Sequence, residues 1–298
     1  MSLAPQSALL EARELTRVFG QGSQAVRAVD RVSFTVQPGE IVSIVGESGS
    51  GKSTLARLLL RLLEPTSGQI FLDGQDITKL RGARALRPYW RRVQGVFQDP
   101  FAAFNQFYSV GRVLMKTLDL LDGAKLSREE RQDRMETVLR NVGLDPVDVL
   151  PKWPHQLSGG QLQRVMIARA LMVEPAILIA DEATSMLDAS LRVTILNLLR
   201  DLRDRYRMSI LFITHDIGQA YYVSDRILVM YRGELVEQGP VETVLGAPQH
   251  PYTRQLMADV PRLHGWGAVS MAEPAGAAIG TGSVVAAPSQ GAGHAGLA

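Results

Sequence analysis

The chain has 298 residues, 46% of them apolar and 21% charged, a composition that excludes a largely disordered polypeptide. Its 32 basic and 30 acidic residues leave a net charge of only +2, so nothing in the balance points to a nucleic-acid partner. Cysteine is absent, which excludes disulfides, cysteine-held zinc and cysteine-held iron–sulfur clusters and is compatible with a reducing compartment.

Residues 9–36 read as strands: LLEARELTRVF, a Gly/Gln/Ser turn, then VRAVDRVSFTV with the alternation of a half-buried sheet. The run Ile41–Val45, β-branched at every position but Ser43, predicts a strand covered on both faces. Leu55–Leu63 is helical in character, and GQIFLDGQDI reads as an edge hairpin. From about residue 101 to 160 the pattern changes to charged helices such as SREERQDRMETVLRNVGL, broken near Pro146, Pro151 and Pro154. A helix from Gln161 to about Met172 leads into the strand AILIAD. Next comes a helix over 190–206, with Leu191, Ile195, Leu198, Leu202 and Tyr206 on one face, and then the strand SILFIT, ending at His215. Strand–helix alternation of this kind predicts an α/β fold, a parallel sheet with helices on both faces, into which the helical segment is inserted. Residues 265–298, mostly Gly, Ala, Ser and Pro, read as a disordered tail.

The stretch Gly46-Glu47-Ser48-Gly49-Ser50-Gly51-Lys52-Ser53-Thr54 fits G-x-x-x-x-G-K-[ST], and it follows a strand and opens a helix. Glycines let such a loop curl until successive backbone N–H groups converge on one oxyanion, and the helix N-terminus adds favourable potential. Lys52 is placed to reach the β- and γ-phosphates of a nucleotide, and the Ser53 hydroxyl to ligate Mg²⁺. The loop alone leaves kinases, GTPases, helicases and transport ATPases open.

Leu157-Ser158-Gly159-Gly160-Gln161, followed by Leu162-Gln163-Arg164, resembles the LSGGQ signature of the ATP-binding-cassette family. That resemblance implies the family fold: a P-loop NTPase cassette with a RecA-like parallel-sheet core, an antiparallel β subdomain and an inserted α-helical subdomain. It implies ATP as the nucleotide, with Ser158, Gly159, Gly160 and Gln161 facing the γ-phosphate held by an opposite subunit. Ile177–Glu182 is similar to the Walker B strand, which gives Asp181 to Mg²⁺ and makes Glu182 the carboxylate that polarises the attacking water. Gln98 in VFQDP resembles the Q-loop glutamine that reaches Mg²⁺ and water. His215 resembles the switch histidine on the γ-phosphate, and Asp188 in SMLD resembles the D-loop aspartate. Phe19, before the turn Gly20–Gly22, is the candidate aromatic for stacking on adenine. Two positions depart from the commoner pattern: Ala183 stands for Pro, and Met186 for the Ala of SALD. Neither removes a chemical group.

Because each signature serves the partner's nucleotide, the resemblance implies dimerisation, with itself or a paralogous ATPase. No apolar run approaches the ~20 residues of a membrane-crossing helix, and MSLAPQSALLEARE lacks the pattern of a secretory signal. A transport role therefore implies two separate membrane-spanning permease subunits and, indirectly, an extracytoplasmic solute-binding protein, with this chain peripheral on the cytoplasmic face. Gln249-His250-Pro251-Tyr252-Thr253 resembles the His-Pro-Tyr extension of the peptide/nickel importer ATPases, and SGGQ followed by QR suits their F-type member. The expected organisation is a cassette over 9–246, an extension over 247–264 and the tail over 265–298. Peptide is the expected cargo, with oligosaccharide or nickel as alternatives and a soluble, non-transporting cassette ATPase as the rival class.

Overall fold

The computed structural model describes residues 8–121 and 126–258. The expected tail and the end of the expected extension, 259–264, lie outside the described residues. β1 (Leu10–Phe19) and β2 (Val26–Val36) pair antiparallel as the alternation predicts. β3 (Ile41–Val45) follows, then the glycine loop and α1 (Lys52–Leu59). Helix α1 begins and ends earlier than the expected 55–63. Arg61 takes the left-handed conformation (φ 56°), and the N–H of Leu62 closes back on the carbonyl of Arg57 at 2.9 Å, a C-terminal stop. β4 (Ser67–Leu72) and β5 (Gln75–Asp76) form the expected hairpin and complete a four-stranded sheet of order β2-β1-β4-β5.

α2 (Gly82–Arg92) and β6 (Val93–Val96) come next, and neither stood out in the sequence. The helix carries Pro88 and several arginines, and its apolar stripe is short: Leu86 and Tyr89 are buried, with Trp90 packed beside them. The inserted region then contributes α3 (Val110–Thr117), α4 (Arg128–Asn141) and α5 (Pro146–Val149) before α6 (Gly159–Leu171). β7 (Ile177–Asp181), α7 (Ala189–Tyr206), β8 (Ser209–Ile213) and α8 (Ile217–Val223) return to strand–helix alternation. β9 (Arg226–Tyr231), β10 (Glu234–Pro240), α9 (Val241–Gly246) and α10 (Pro251–Ala258) end the described chain.

The second sheet has six strands in the order β10-β9-β3-β8-β7-β6. All neighbours are parallel except the edge strand β10, which runs antiparallel to β9. Every residue of β3, β7 and β8 is buried, as a sheet covered on both faces requires. The faces alternate residue by residue. Leu178, Ala180, Ile210 and Phe212 pack with the helices of the insertion, α6 and α7. Ile177, Ile179, Leu211 and Ile213 pack with α1 and the antiparallel sheet. The buried side of α7 is rotated from the expected stripe: Ile195, Leu196, Leu199 and Leu202 are buried, whereas Leu191, Leu198 and Tyr206 are only half-buried.

Phe212 is the largest of the wholly buried side chains and stands in the middle of the sheet. Phe212→Ala is expected to lower unfolding free energy by about 3–5 kcal/mol. Urea denaturation followed by circular dichroism checks it, and a midpoint unchanged from wild type would contradict this assignment of the core.

Candidate active site

The parallel strands deliver their carboxyl ends to one edge, the place where open α/β sheets bind ligands. Beyond β3 the chain turns at Gly46 (φ 150°), Gly49 (φ 82°) and Gly51 (φ 104°). A Cβ on Gly46 would lie 2.2 Å from the carbonyl oxygen of Met230, and one on Gly51 would lie 2.1 Å from that of Ala28. The loop is thus pressed between β9 and β2, and at these two positions only glycine fits. Glu47, Ser48 and Gly49 form its exposed rim, Ser50 is buried beneath, and Ser53 and Thr54 lie half-buried in the first turn of α1.

Lys52 is 4% exposed. Its Nζ donates to the carbonyls of Gly46 and Glu47, both at 2.7 Å, and to Ser50 Oγ at 3.3 Å. Burial pushes its ammonium pKa below the usual lysine value, and the carboxylates of Glu182, Asp181 and Glu47 oppose that shift. Asp181 ends β7 and accepts a hydrogen bond from Ser53 Oγ at 3.1 Å across 128 positions of sequence. Burial pushes its carboxyl above the usual range, the hydrogen bond from Ser53 opposes this, and the neighbouring charge of Glu182 adds to it. A hydroxyl and a buried carboxylate, placed side by side at the mouth of a phosphate-type loop, are hard oxygen donors. They fit Mg²⁺, which takes one or two protein oxygens beside phosphate.

Glu182 follows directly, in the left-handed conformation (φ 49°), uncommon for a residue with a side chain. Hydrogen bonds hold it there: its N–H donates to the Ile213 carbonyl at 2.9 Å, and Ser185 Oγ donates to its own carbonyl at 2.9 Å. The carboxylate remains one-fifth exposed, with His215 Nδ1 3.5 Å from Oε1. His215 itself is open to solvent just past β8. Gln98 lies exposed in the turn beyond β6. Because Val96 pairs with Ala180, Gln98 is carried to the same edge as Asp181 and Glu182, although among the described residues no hydrogen bond joins them. Phe19 ends β1, paired with Val26 and therefore two residues along β2 from Ala28, which touches the loop. Its ring is 38% exposed and is covered on one side by the Arg17 guanidinium, 4.7 Å from the centroid.

The remaining candidates form a separate group. Ser158 caps α6 by accepting from the Gln161 N–H at 3.2 Å, and Gln161 Oε1 accepts from the Ser158 N–H at 3.0 Å. Gly159 faces open space, and Gly160 lies so close to Leu191 of α7 that a Cβ would meet its Cδ1 at 2.9 Å. Asp188 caps α7 through the Leu191 N–H at 2.9 Å, a bond that holds its carboxyl below the usual range. Among the described residues, none of Ser158, Gly159, Gly160, Gln161 and Asp188 hydrogen-bonds to the loop 46–54. One contact to the loop had no counterpart in the sequence reading: the Glu47 N–H donates to Tyr252 Oη at 2.8 Å. The extension was recognisable there, but nothing in its spelling reveals where its tyrosine points.

A glycine loop opening a helix, with a buried lysine and a strand-end carboxylate beside it, defines a P-loop nucleotide-binding protein. Comparison with known proteins narrows that class. The ABC transporter family model matches residues 29–185, and that of the oligopeptide/dipeptide transporter C-terminal region matches residues 236–283. A Brucella ovis protein, provisionally named a peptide import ATP-binding protein, is 43% identical over 256 residues, 86% of this chain and 80% of its own length. A Brucella abortus protein of the same provisional description is 47% identical over 241 residues, 81% of this chain and 71% of its own. Among solved structures, a dimeric post-hydrolysis state of an ATP-binding cassette bound to ADP and Pi aligns with TM-score 0.70 at 30% identity, covering 78% of this chain and 98% of that one. The chain belongs to the ABC transporter family.

The raised carboxyl pKa of Asp181 has a consequence for stability. A group that titrates higher in the folded state than in the unfolded one favours the fold while protonated, and that contribution is lost as pH rises through the folded value. Asp181→Asn keeps an acceptor for Ser53 and removes the buried charge. It is expected to raise the thermal midpoint of nucleotide-free protein at neutral pH, with the gain shrinking toward acid. A lower midpoint at neutral pH, measured by scanning fluorimetry, would contradict the assigned environment.

Proposed function

We propose that the chain is the ATP-hydrolysing subunit that powers an importer for peptides, with residues 9–246 as the cassette, about 101–160 as its helical subdomain and 247–264 as the extension. The observation that carries this reading is the joining, in one chain, of the loop–carboxylate site to the His250-Pro251-Tyr252 segment, which falls within the matched oligopeptide/dipeptide transporter region. Backbone N–H groups from Gly49 to Thr54, together with Lys52, hold the phosphates. Phe19 stacks on adenine. Ser53 and Asp181, assisted by Gln98, would hold Mg²⁺, which when bound would supply positive charge to the transferring phosphoryl group. Glu182 orients the attacking water and accepts its proton, while His215 contacts the γ-phosphate from the end of β8. Ser158, Gly159, Gly160, Gln161 and Asp188 serve the nucleotide of a second cassette ATPase, either a paralogue or a second copy. Gly159 at the start of α6 faces open space, which supports that division.

Among the described residues no helix is long and apolar enough to cross a membrane. In our reading two membrane-spanning permease subunits supply the pathway, a solute-binding protein delivers cargo outside, and this chain sits peripherally on the cytoplasmic face. An open groove of about 380 Å³ beside Gln94, Phe104, Tyr108, Lys116 and Arg169 is the surface on which a permease would act. Its lining includes Gln94, on the strand that leads to Gln98. Phe107 beside it is 88% exposed, which supports a protein neighbour there.

Glu182→Gln is expected to retain MgATP binding and to lower turnover by about 10²–10⁴-fold, the scale of a lost general base. Unchanged steady-state hydrolysis would remove Glu182 from its role. Affinity purification of the chain from mild-detergent membranes is expected to recover two multi-span proteins and a second cassette ATPase. Recovery from the soluble fraction alone, without membrane partners, would overturn the importer reading in favour of a soluble ATPase.

A further inference from the structure

Helix α10, the last among the described residues, is fastened to the cassette by the residues just before it and in its first turn. The Glu237 carboxylate on β10 accepts the N–H groups of Gln249 at 2.8 Å and His250 at 3.0 Å. His250 Nδ1 then accepts the N–H of Tyr252 at 3.2 Å. The ring of Tyr252 stacks on that of Tyr231 at the end of β9, with centroids 4.2 Å apart and planes 29° from parallel. These contacts fix the direction of the phenol, and it points at the phosphate-binding loop, where Tyr252 Oη accepts the Glu47 N–H at 2.8 Å.

The Glu47 N–H and the Gly46 C=O belong to one peptide unit, which is planar, so turning one group turns the other. Lys52 Nζ donates to that Gly46 carbonyl at 2.7 Å. The plane is therefore gripped on opposite sides, by a phenol oxygen on its N–H and by the ammonium on its carbonyl. Charge on the carbonyl side polarises the amide and strengthens the bond on the other. Gly46, at φ 150°, carries no Cβ to restrict the turning of the next peptide. Without the phenol oxygen, the ammonium alone would hold the plane.

We propose that Tyr252 is a positioning residue of the ATP site: its hydroxyl holds the Gly46–Glu47 peptide with the carbonyl turned to Lys52, so that the C-terminal helix sets the pose of the phosphate-binding loop. This rests on the ATPase reading above and deepens it. Tyr252 touches no reacting group and acts through Lys52. The extension thereby becomes a lever on nucleotide binding: a neighbour that shifts α10 also shifts the peptide that orients Lys52.

Tyr252→Phe removes the hydroxyl and keeps the stacked ring. Tyr231→Phe keeps the ring and leaves the Tyr252 hydroxyl on the loop. Titration calorimetry of the full chain with MgATP is expected to find Tyr252→Phe weakened roughly fivefold, the scale of one neutral hydrogen bond, with Tyr231→Phe within twofold of wild type. In a Lys52→Ala background, Tyr252→Phe is expected to add less than twofold, because the effect passes through the ammonium. Affinity of Tyr252→Phe equal to wild type would overturn the proposal. So would an equal loss in Tyr231→Phe, or a fully additive loss in the Lys52→Ala background, since each is the behaviour of a packing residue. Wild-type protein that fails to bind MgATP would overturn the ATPase reading, and this inference with it. Normal wild-type binding with an unaffected Tyr252→Phe would overturn this inference alone.

Discussion

A buried ammonium is the constraint around which the rest of the structure is arranged. Lys52 is almost wholly out of solvent, and an unpaired charge there would be prohibitive. It is kept because the loop wraps it with the carbonyls of Gly46 and Glu47, and because Glu182, Asp181 and Glu47 supply opposing charge. The wrapping needs backbone angles and clearances that only glycine supplies at positions 46 and 51. The carboxylates need β7 to end beside β3, which the strand order β3-β8-β7 provides with one intervening strand. The electrostatics of the site thus depend on the topology of the sheet, and the sheet depends on three wholly buried strands.

The same logic separates the two functional edges. The insertion enters after β6 and returns through α6, so the Ser158 cap and the Asp188 cap come together at the starts of α6 and α7. Each cap uses its own side chain to satisfy one N–H in the first turn of its helix, that of Gln161 in α6 and of Leu191 in α7. Gly159 faces open space, so the backbone at the start of α6 is unobstructed by side chains. An N-terminus prepared in this way is suited to meet an anion brought from outside the chain.

Much of this was legible in the amino-acid sequence, for identifiable reasons. β3, β7 and β8 are almost wholly apolar runs, interrupted only by Ser43 in β3 and opened by Ser209 in β8, and Gly46, Asp181 and Thr214-His215 mark their ends, so both their burial and their ends stand out. The loop 46–54 is legible because its chemistry requires glycine, lysine and a hydroxyl at fixed spacing. α2 and β6 were not: the apolar spacing of Leu86, Tyr89 and Trp90 is masked by the arginines around it and by Pro88, which argues against a helix interior, and a strand as short as Val93–Val96, with Gly95 in it, reads as a turn. The face of α7 was misjudged because α8 and β8 both cover it, so its buried side is wider than a single stripe. The bond between Tyr252 and Glu47 spans 205 positions, and no local pattern encodes a contact at that separation.

The most direct measurement is a crystal structure of the chain with Mg²⁺ and a non-hydrolysable ATP analogue. The predicted result places the phosphates within Gly46–Thr54 against Lys52, the adenine on Phe19 and the metal between the oxygens of Ser53 and Asp181, with Glu182 facing the terminal phosphate. Phosphates bound away from this loop, or a metal with neither Ser53 nor Asp181 among its ligands, would contradict it.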